Sequence, residues 1–413
     1  MTRVALKDEL LDAQLLRTVG ASAYGGSDLG ECLSAARRVR STDLDSWHTE
    51  WSVAAESVAA LAEQATEAGH DETARLAYLR ASSYFRTAGV MLMGVPLDAR
   101  LAEAYARQTD MFGRAAALMV PAAEILEIPF EGTTLPGYFL RPVGEQRARA
   151  TVVLTGGYDG TAEELYLANG AAALARGYNV LAFDGPGQGS ALVGRGLIMR
   201  ADWENVITPV LDYALARPDV DPSRVALIGL SLGAHLAPRA ASAEHRVAAC
   251  IADCGAYDLY AAFLERLPGP LAAPFAADRP WARNAVAKLL RVLARKPTAG
   301  WPLRRGLLVH GADDPLDFVD ALRDFTLAGR AADITCPTWV CDAEGDAISA
   351  SAPQLVGAMT CEKTYVHFTA AEGAGDHCEQ GARALYHARS FAWLDDLLHP
   401  SGATDQGARP PAT

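Results

Sequence analysis

Five residues, Gly229-Leu230-Ser231-Leu232-Gly233, close the apolar run VALI and open a helical run, so a serine stands between glycines at a strand-to-helix turn. A side chain on so sharp a turn projects above the sheet, and the flanking glycines leave room where a Cβ would collide. The following helix N-terminus favours negative charge beside the hydroxyl. The chemistry this suits is nucleophilic attack by Ser231 on a carbonyl carbon. In a chain with 36 glycines the pentapeptide alone is a weak signal. Its place between strand and helix is what separates it from a serine in an ordinary glycine-rich loop.

A nucleophilic serine needs a general base, and the base needs an orienting acid; on such a turn the chain order is Ser, acid, His. His377 lies in the loop GAGDHCEQG just after the run KTYVHFTA, at the carboxyl end of a strand, where the reacting groups of open parallel sheets gather. His367 falls inside that strand, and His387 and His399 fall on the closing helix; these read as structural or solvent-facing. The acid should follow the strand before the one that delivers His377. Counting back over a helix near 351–360 reaches the strand 337–341, whose turn DAEGDAIS offers Asp342, Glu344 and Asp346. Asp346 is the choice, because Gly345 supplies a tight turn. Asp342 is the reserve, since it can still belong to the strand. GLLVHGADDPLDF (306–318) looks like a strand with an acidic turn, but the count passes it over.

The oxyanion of a tetrahedral intermediate needs N–H donors. One is expected from the backbone of Leu232, after the nucleophile. The other is expected from the loop Thr155-Gly156-Gly157-Tyr158-Asp159-Gly160, with Tyr158 favoured and Gly157 the alternative. Asp184-Gly185-Pro186-Gly187-Gln188-Gly189 has neither the GxGxxG spacing nor the lysine of a phosphate loop and reads as a strand-end turn.

These residues need a scaffold, and the apolar periodicity supplies one. Residues 1–120 read as helix throughout, rich in Ala, Leu and Glu at three- and four-residue spacing. After Pro121, AEILEIPFEGTTLPGYFLRPV alternates around a turn and suggests a hairpin. Short apolar runs at 151–157, 179–187, 225–233, 247–255, 337–346 and 363–370 then alternate with helical patterns. Such alternation implies an α/β fold with a mostly parallel central sheet covered on both faces. Pro- and Leu-rich helical material at about 258–334 interrupts it as an insertion. The catalytic unit is thus expected over 121–400, with a disordered tail at 401–413.

The 413 residues carry a formal charge of −13, and half are hydrophobic. The acidic balance argues against nucleic acid or an anionic membrane as partner. No run is long and apolar enough to span a bilayer, and MTRVALKDELLDAQLL lacks the basic-then-apolar plan of a signal peptide. Seven scattered cysteines suggest reduced thiols in the cytoplasm. Cys250 and Cys254 have a metal-like gap but no matching second pair, so a structural zinc is not expected.

The segments GGYDGTAEELY, NVLAFDGPGQGSAL, IGLSLGAHLAPRAA, CPTWVCDAEGDAIS and EGAGDHCEQGA resemble the α/β-hydrolase branch with an N-terminal helical domain. That branch includes 2,6-dihydroxypseudooxynicotine hydrolase, fungal polyketide-shortening hydrolases and esterases of the fermentation–respiration switch type. LAYLRASSYFRTAGVML and QTDMFGRAA look like its N-terminal domain. The resemblance implies the α/β-hydrolase fold, a helical cap made of residues 1–120 and the insertion, the triad Ser231, Asp346 and His377, no metal or organic cofactor, and a small-molecule substrate. It makes a homodimer an expectation. Arg80, Tyr84 and Arg86 become candidates for the substrate pocket, and Asp253 and Glu265 for an assisting acid. The expected reaction is hydrolysis of an ester or of a carbon–carbon bond beside a ketone. The same triad serves acyl transfer or cyclisation, and a binding protein without catalysis would show a damaged triad or a blocked oxyanion site.

Overall fold

The computed structural model describes residues 3–144 and 147–398. The expected disordered tail and His399 lie outside the described residues. Five helices come first: α1 (Glu9–Gly20), α2 (Leu29–Arg38), α3 (Leu44–Glu67), α4 (Asp71–Val90) and α5 (Ala99–Ala117). Asp8, Asp28, Asp43 and Asp98 cap four of them, each accepting from the first-turn N–H groups that have no partner within the helix. The long periodic stretch from Trp51 is two helices. It breaks at Gly69, whose φ of +72° suits glycine. Their shared core holds Trp47, Trp51 and Tyr84, all fully buried.

The sheet has eight strands in the order β1-β2-β4-β3-β5-β6-β7-β8. β1 (Glu124–Phe130) and β2 (Thr133–Leu140) form the expected hairpin. Its two-residue turn puts Glu131 and Gly132 at φ +42° and +82°, the geometry that matches the twist of the flanking strands. β2 pairs antiparallel with β4 (Asn179–Phe183). β3 (Arg149–Thr155), β4, β5 (Val220–Leu230), β6 (Ala249–Asp253), β7 (Thr338–Ala343) and β8 (Lys363–Phe368) are all parallel. β3, β4, β6 and β7 are buried along their whole length, as expected for strands covered on both faces.

Between β6 and β7 the insertion is helical, with its own small core of Phe275, Val286, Leu290 and Val319. The strand-like run at 306–318 is corrected here: it forms the end of the helix Trp301–His310 and the start of the helix Pro315–Ala321, which Asp314 caps. Its apolar residues are divided between the main core (Leu308, Val309) and the insertion's own core (Leu316, Phe318), so the short run carried no strand period. The insertion touches the N-terminal helices directly, since Trp301 Nε1 donates to the Val90 carbonyl at 2.9 Å.

Candidate active site

β5 ends at Leu230 and the helix Gly233–Ala241 begins three residues later. Ser231 sits between them at φ +62°, a left-handed conformation that costs a side-chain-bearing residue energy. Both flanking glycines are required by space. A Cβ on Gly229 would lie 1.9 Å from the Gly233 carbonyl oxygen, and one on Gly233 would lie 2.4 Å from that of Thr155. The Ser231 N–H donates to the Asp253 carbonyl at 3.1 Å, which ties the turn to β6.

The structure brings Ser231, His377 and Asp346 together. His377 Nε2 lies 2.8 Å from Ser231 Oγ, and His377 Nδ1 lies 2.7 Å from Asp346 Oδ2. A carboxylate only accepts, so the proton belongs on Nδ1 and leaves Nε2 to accept from the serine hydroxyl. Burial alone would raise the Asp346 carboxyl, but the facing His377 and the Ile348 N–H hold it below the ordinary carboxylate range. Burial works against the imidazolium of His377; Cys378 and Asp346 outweigh that and hold it well above its ordinary value. The reserve acid, Asp342, is engaged elsewhere: it pairs across the β7–β8 ladder with His367 at 2.8 Å. His387 bonds the Ala168 carbonyl and the Tyr24 hydroxyl.

The 156–160 loop lies against the nucleophile. A Cβ on Gly157 would come within 2.9 Å of Ser231 Cβ and 3.0 Å of its Oγ. Gln188 of the glycine-rich turn after β4 braces this loop by donating to the Gly156 carbonyl at 2.6 Å, while Asp184 accepts from the N–H groups of Ala162 and Ser190. The Tyr158 hydroxyl meets His310 Nε2 at 3.0 Å, and burial lowers His310 to about 4, so that imidazole is neutral.

Asp159, beside Tyr158, is the centre of a charge cluster that sequence reasoning missed. It is bonded by Arg17 of α1 (2.8 Å), Arg86 of α4 (3.1 Å) and Arg305 of the insertion (3.1 Å). Burial alone would raise Asp159; the three guanidinium groups hold it far below the usual range. Asp159 was visible in the loop GGYDG, whereas nothing in local spacing marks Arg17 or Arg305.

A cavity of about 70 Å³ lies between the N-terminal helices and the sheet's carboxyl edge, lined by residues that include Arg17, Arg86, Gln108, Leu230, Cys378 and Arg383. Leu230 and Cys378 are the chain neighbours of Ser231 and His377, which are not themselves among its walls. Arg86, one of the three pocket candidates, lies on the wall of this cavity. Arg80 and Tyr84 do not, and that expectation is corrected: both bond the Glu31 carboxylate, at 3.0 and 2.6 Å, and so join α2 to α4. They share a helix face, but the face packs inside the helical region. Glu265 is exposed on the insertion, and Asp253 is fully buried in an ion pair with Arg383 at 2.7 Å. Donor atoms of Cys254, His377 and Cys378 lie within 4.8 Å of one another, as do those of Asp253, Cys341 and Glu379.

Comparison with known proteins follows the same outline. A family model described as "Alpha/beta hydrolase family" matches residues 152–388, and one described as "Esterase FrsA-like" matches residues 39–263. The chain is 34% identical to "Hydrolase LUC6" of Fusarium sp, covering 93% of this chain and 96% of that protein. It is 32% identical to "20-hydroxy-prefusarin hydrolase FUS2" of Gibberella moniliformis, over 94% and 97% of the two chains. Among solved structures, 2,6-dihydroxy-pseudo-oxynicotine hydrolase superposes with a TM-score of 0.74 at 22% identity, covering 92% of this chain and 95% of that one, a likeness of fold. The chain belongs to the alpha/beta hydrolase family, and it is an enzyme.

Proposed function

We propose that this enzyme is a serine hydrolase that cleaves a carbonyl compound, either an ester or a carbon–carbon bond beside a ketone. The observation that carries this reading is the continuous hydrogen-bonded chain Ser231–His377–Asp346 at 2.8 and 2.7 Å. His377 takes the Ser231 proton as Oγ attacks the carbonyl carbon, and Asp346 stabilises the imidazolium that forms. The backbone N–H groups of Leu232 and Tyr158 receive the oxyanion. Neither N–H has an acceptor among the described residues, so both are free to donate. His377 then protonates the leaving group, and water attacks the acyl-enzyme by the same route in reverse. For carbon–carbon cleavage the leaving group is a carbanion, so the substrate is one that stabilises it by resonance, such as a β-diketone or an acylated phenol.

The N-terminal helices and the insertion cover the substrate in this reading. Both contact Asp159 in the loop that carries the oxyanion donor, through Arg17, Arg86 and Arg305. None of the seven cysteines forms a disulfide, which supports a reducing, cytoplasmic setting. No described helix is long and apolar enough to cross a membrane.

The test is turnover of an activated short-chain ester and of a β-diketone, beside Ser231→Ala and His377→Ala. Loss of turnover in both variants is expected. Diketone cleavage with little ester turnover assigns the carbon–carbon branch, and the reverse assigns an esterase. Turnover that survives Ser231→Ala would overturn the proposal.

A further inference from the structure

Two cysteines stand against the imidazole that faces Ser231, and the hydrolytic steps use neither. Cys254 follows β6 and Cys378 follows His377; both are buried, and both have left-handed backbone, at φ +66° and +54°. Glycine adopts that conformation freely, whereas a residue with a Cβ is strained in it. Both turns nonetheless carry a thiol, and the Cys254 thiol also lies 3.8 Å from Glu379 Oε1. The Cys378 N–H donates to Cys254 Sγ at 2.9 Å, and Cys378 Sγ lies 3.4 Å from His377 Nε2. One donor atom from each of Cys254, Cys378 and His377 lies within 4.8 Å of the other two. Chain spacing hides this set, because Cys254 pairs by eye with Cys250, whose thiol neighbours are Cys336 and Cys361.

We propose that Cys254, Cys378 and His377 form a binding site for a thiophilic divalent cation of the zinc class, and that occupancy switches the enzyme off. Zinc takes sulfur at roughly 2.3 Å and imidazole nitrogen at roughly 2.0–2.1 Å in a tetrahedral set. That geometry separates a sulfur and a nitrogen ligand by about 3.5 Å, close to the 3.4 Å between Cys378 Sγ and His377 Nε2. Three protein ligands leave a fourth position for water or for Ser231 Oγ, itself 2.8 Å from Nε2. The contact between His377 Nδ1 and Asp346 is the carboxylate–histidine pairing that fixes the tautomer and orientation of metal-bound imidazoles. An ion reaches the site through the cavity that Cys378 lines.

On binding, both thiols coordinate as thiolates and the imidazole coordinates in its neutral form, so two thiol protons, and the Nε2 proton of any imidazolium, pass to solvent; no electrons move. Nε2 has one lone pair in the ring plane. It either accepts the Ser231 proton or binds the cation, so the bound state lacks a general base. The binding half of this inference stands by itself, and the switching half rests on the proposed hydrolase mechanism.

Cobalt(II) is the probe. One equivalent added anaerobically to the reduced protein should give intense sulfur-to-cobalt charge transfer in the near ultraviolet and tetrahedral bands in the visible, both displaced by one equivalent of zinc. Cys254→Ser and Cys378→Ser should each weaken the signal and the double variant abolish it, with Cys250→Ser unchanged. X-ray absorption of the wild-type zinc protein should count two sulfurs, a measurement independent of whether any variant folds. Wild-type ester turnover should fall more than tenfold with one equivalent of zinc and return on chelation. Cys254→Ser, measured against its own metal-free rate, should lose less than twofold. A weak octahedral cobalt spectrum, a signal that survives in the double variant, or any other sulfur count overturns the site. Two-sulfur binding with undiminished turnover overturns the switch. If no substrate is turned over at all, the cobalt spectrum and sulfur count still decide the site.

Discussion

Ser231, His377 and Asp346 come from three separate loops, and a single pair of hydrogen bonds joins them. Their identities were legible because each follows a strand: a parallel sheet delivers strand ends to one edge, and the chain order ranks the acids. The tight turn at Gly345 had put Asp346 ahead of Asp342, and the structure shows Asp342 engaged by His367 on the next strand. His377 is held well above its ordinary value of 6.5, and the base works only when neutral. The acid limb of kcat/KM should therefore have its midpoint above pH 6.5, with rate lost as pH falls through it. Asp346→Asn removes the carboxylate that holds the imidazolium, so it should move that midpoint down and cut kcat by about 10⁴-fold. A pH–rate profile of both proteins checks this. Gly157→Ala should lower kcat by about 10²-fold without unfolding the chain, because its Cβ would enter the space 3.0 Å from Ser231 Oγ. Circular dichroism alongside single-turnover kinetics separates the two effects.

Among the elements, the loop after β3 is held from outside the sheet. Arg17, Arg86 and Arg305 converge from α1, α4 and the insertion on Asp159. Removing its charge leaves buried guanidinium groups with fewer carboxylates. Asp159→Asn should cost roughly 3 kcal/mol of stability, within the range for breaking a buried ion pair, measured by denaturant titration. No local pattern announced this cluster. Arg17 and Arg305 lie far from residue 159 in the chain, and an arginine on a helix ordinarily faces water. The strands were readable for the opposite reason: short apolar runs with helices between them leave a parallel sheet as the packing that buries both faces. The run 306–318 misled because a short apolar stretch carries no period that separates strand from buried helix.

For the whole molecule, the helical region and the insertion meet over the sheet's carboxyl edge, with Trp301 fully enclosed and bonded to the Val90 carbonyl. Trp301→Ala should cost about 3–5 kcal/mol, the usual range for deleting a buried aromatic. It should also speed amide exchange in the insertion relative to the sheet, because that contact anchors the insertion to the N-terminal helices. The cap was legible as helix, but its inner face was not. Arg80 and Tyr84 share a face by spacing and still point at Glu31, while Arg86 on the same helix lines the cavity. Periodicity tells which residues share a face and not what the face meets. The central claim, that Ser231 is a nucleophile activated by His377, is tested most directly by a serine-reactive phosphonate followed by peptide mapping. The account predicts one phosphonyl group per chain, on Ser231, with labelling lost in His377→Ala. A folded wild-type protein that takes up no label, or takes it up at another residue, would contradict it.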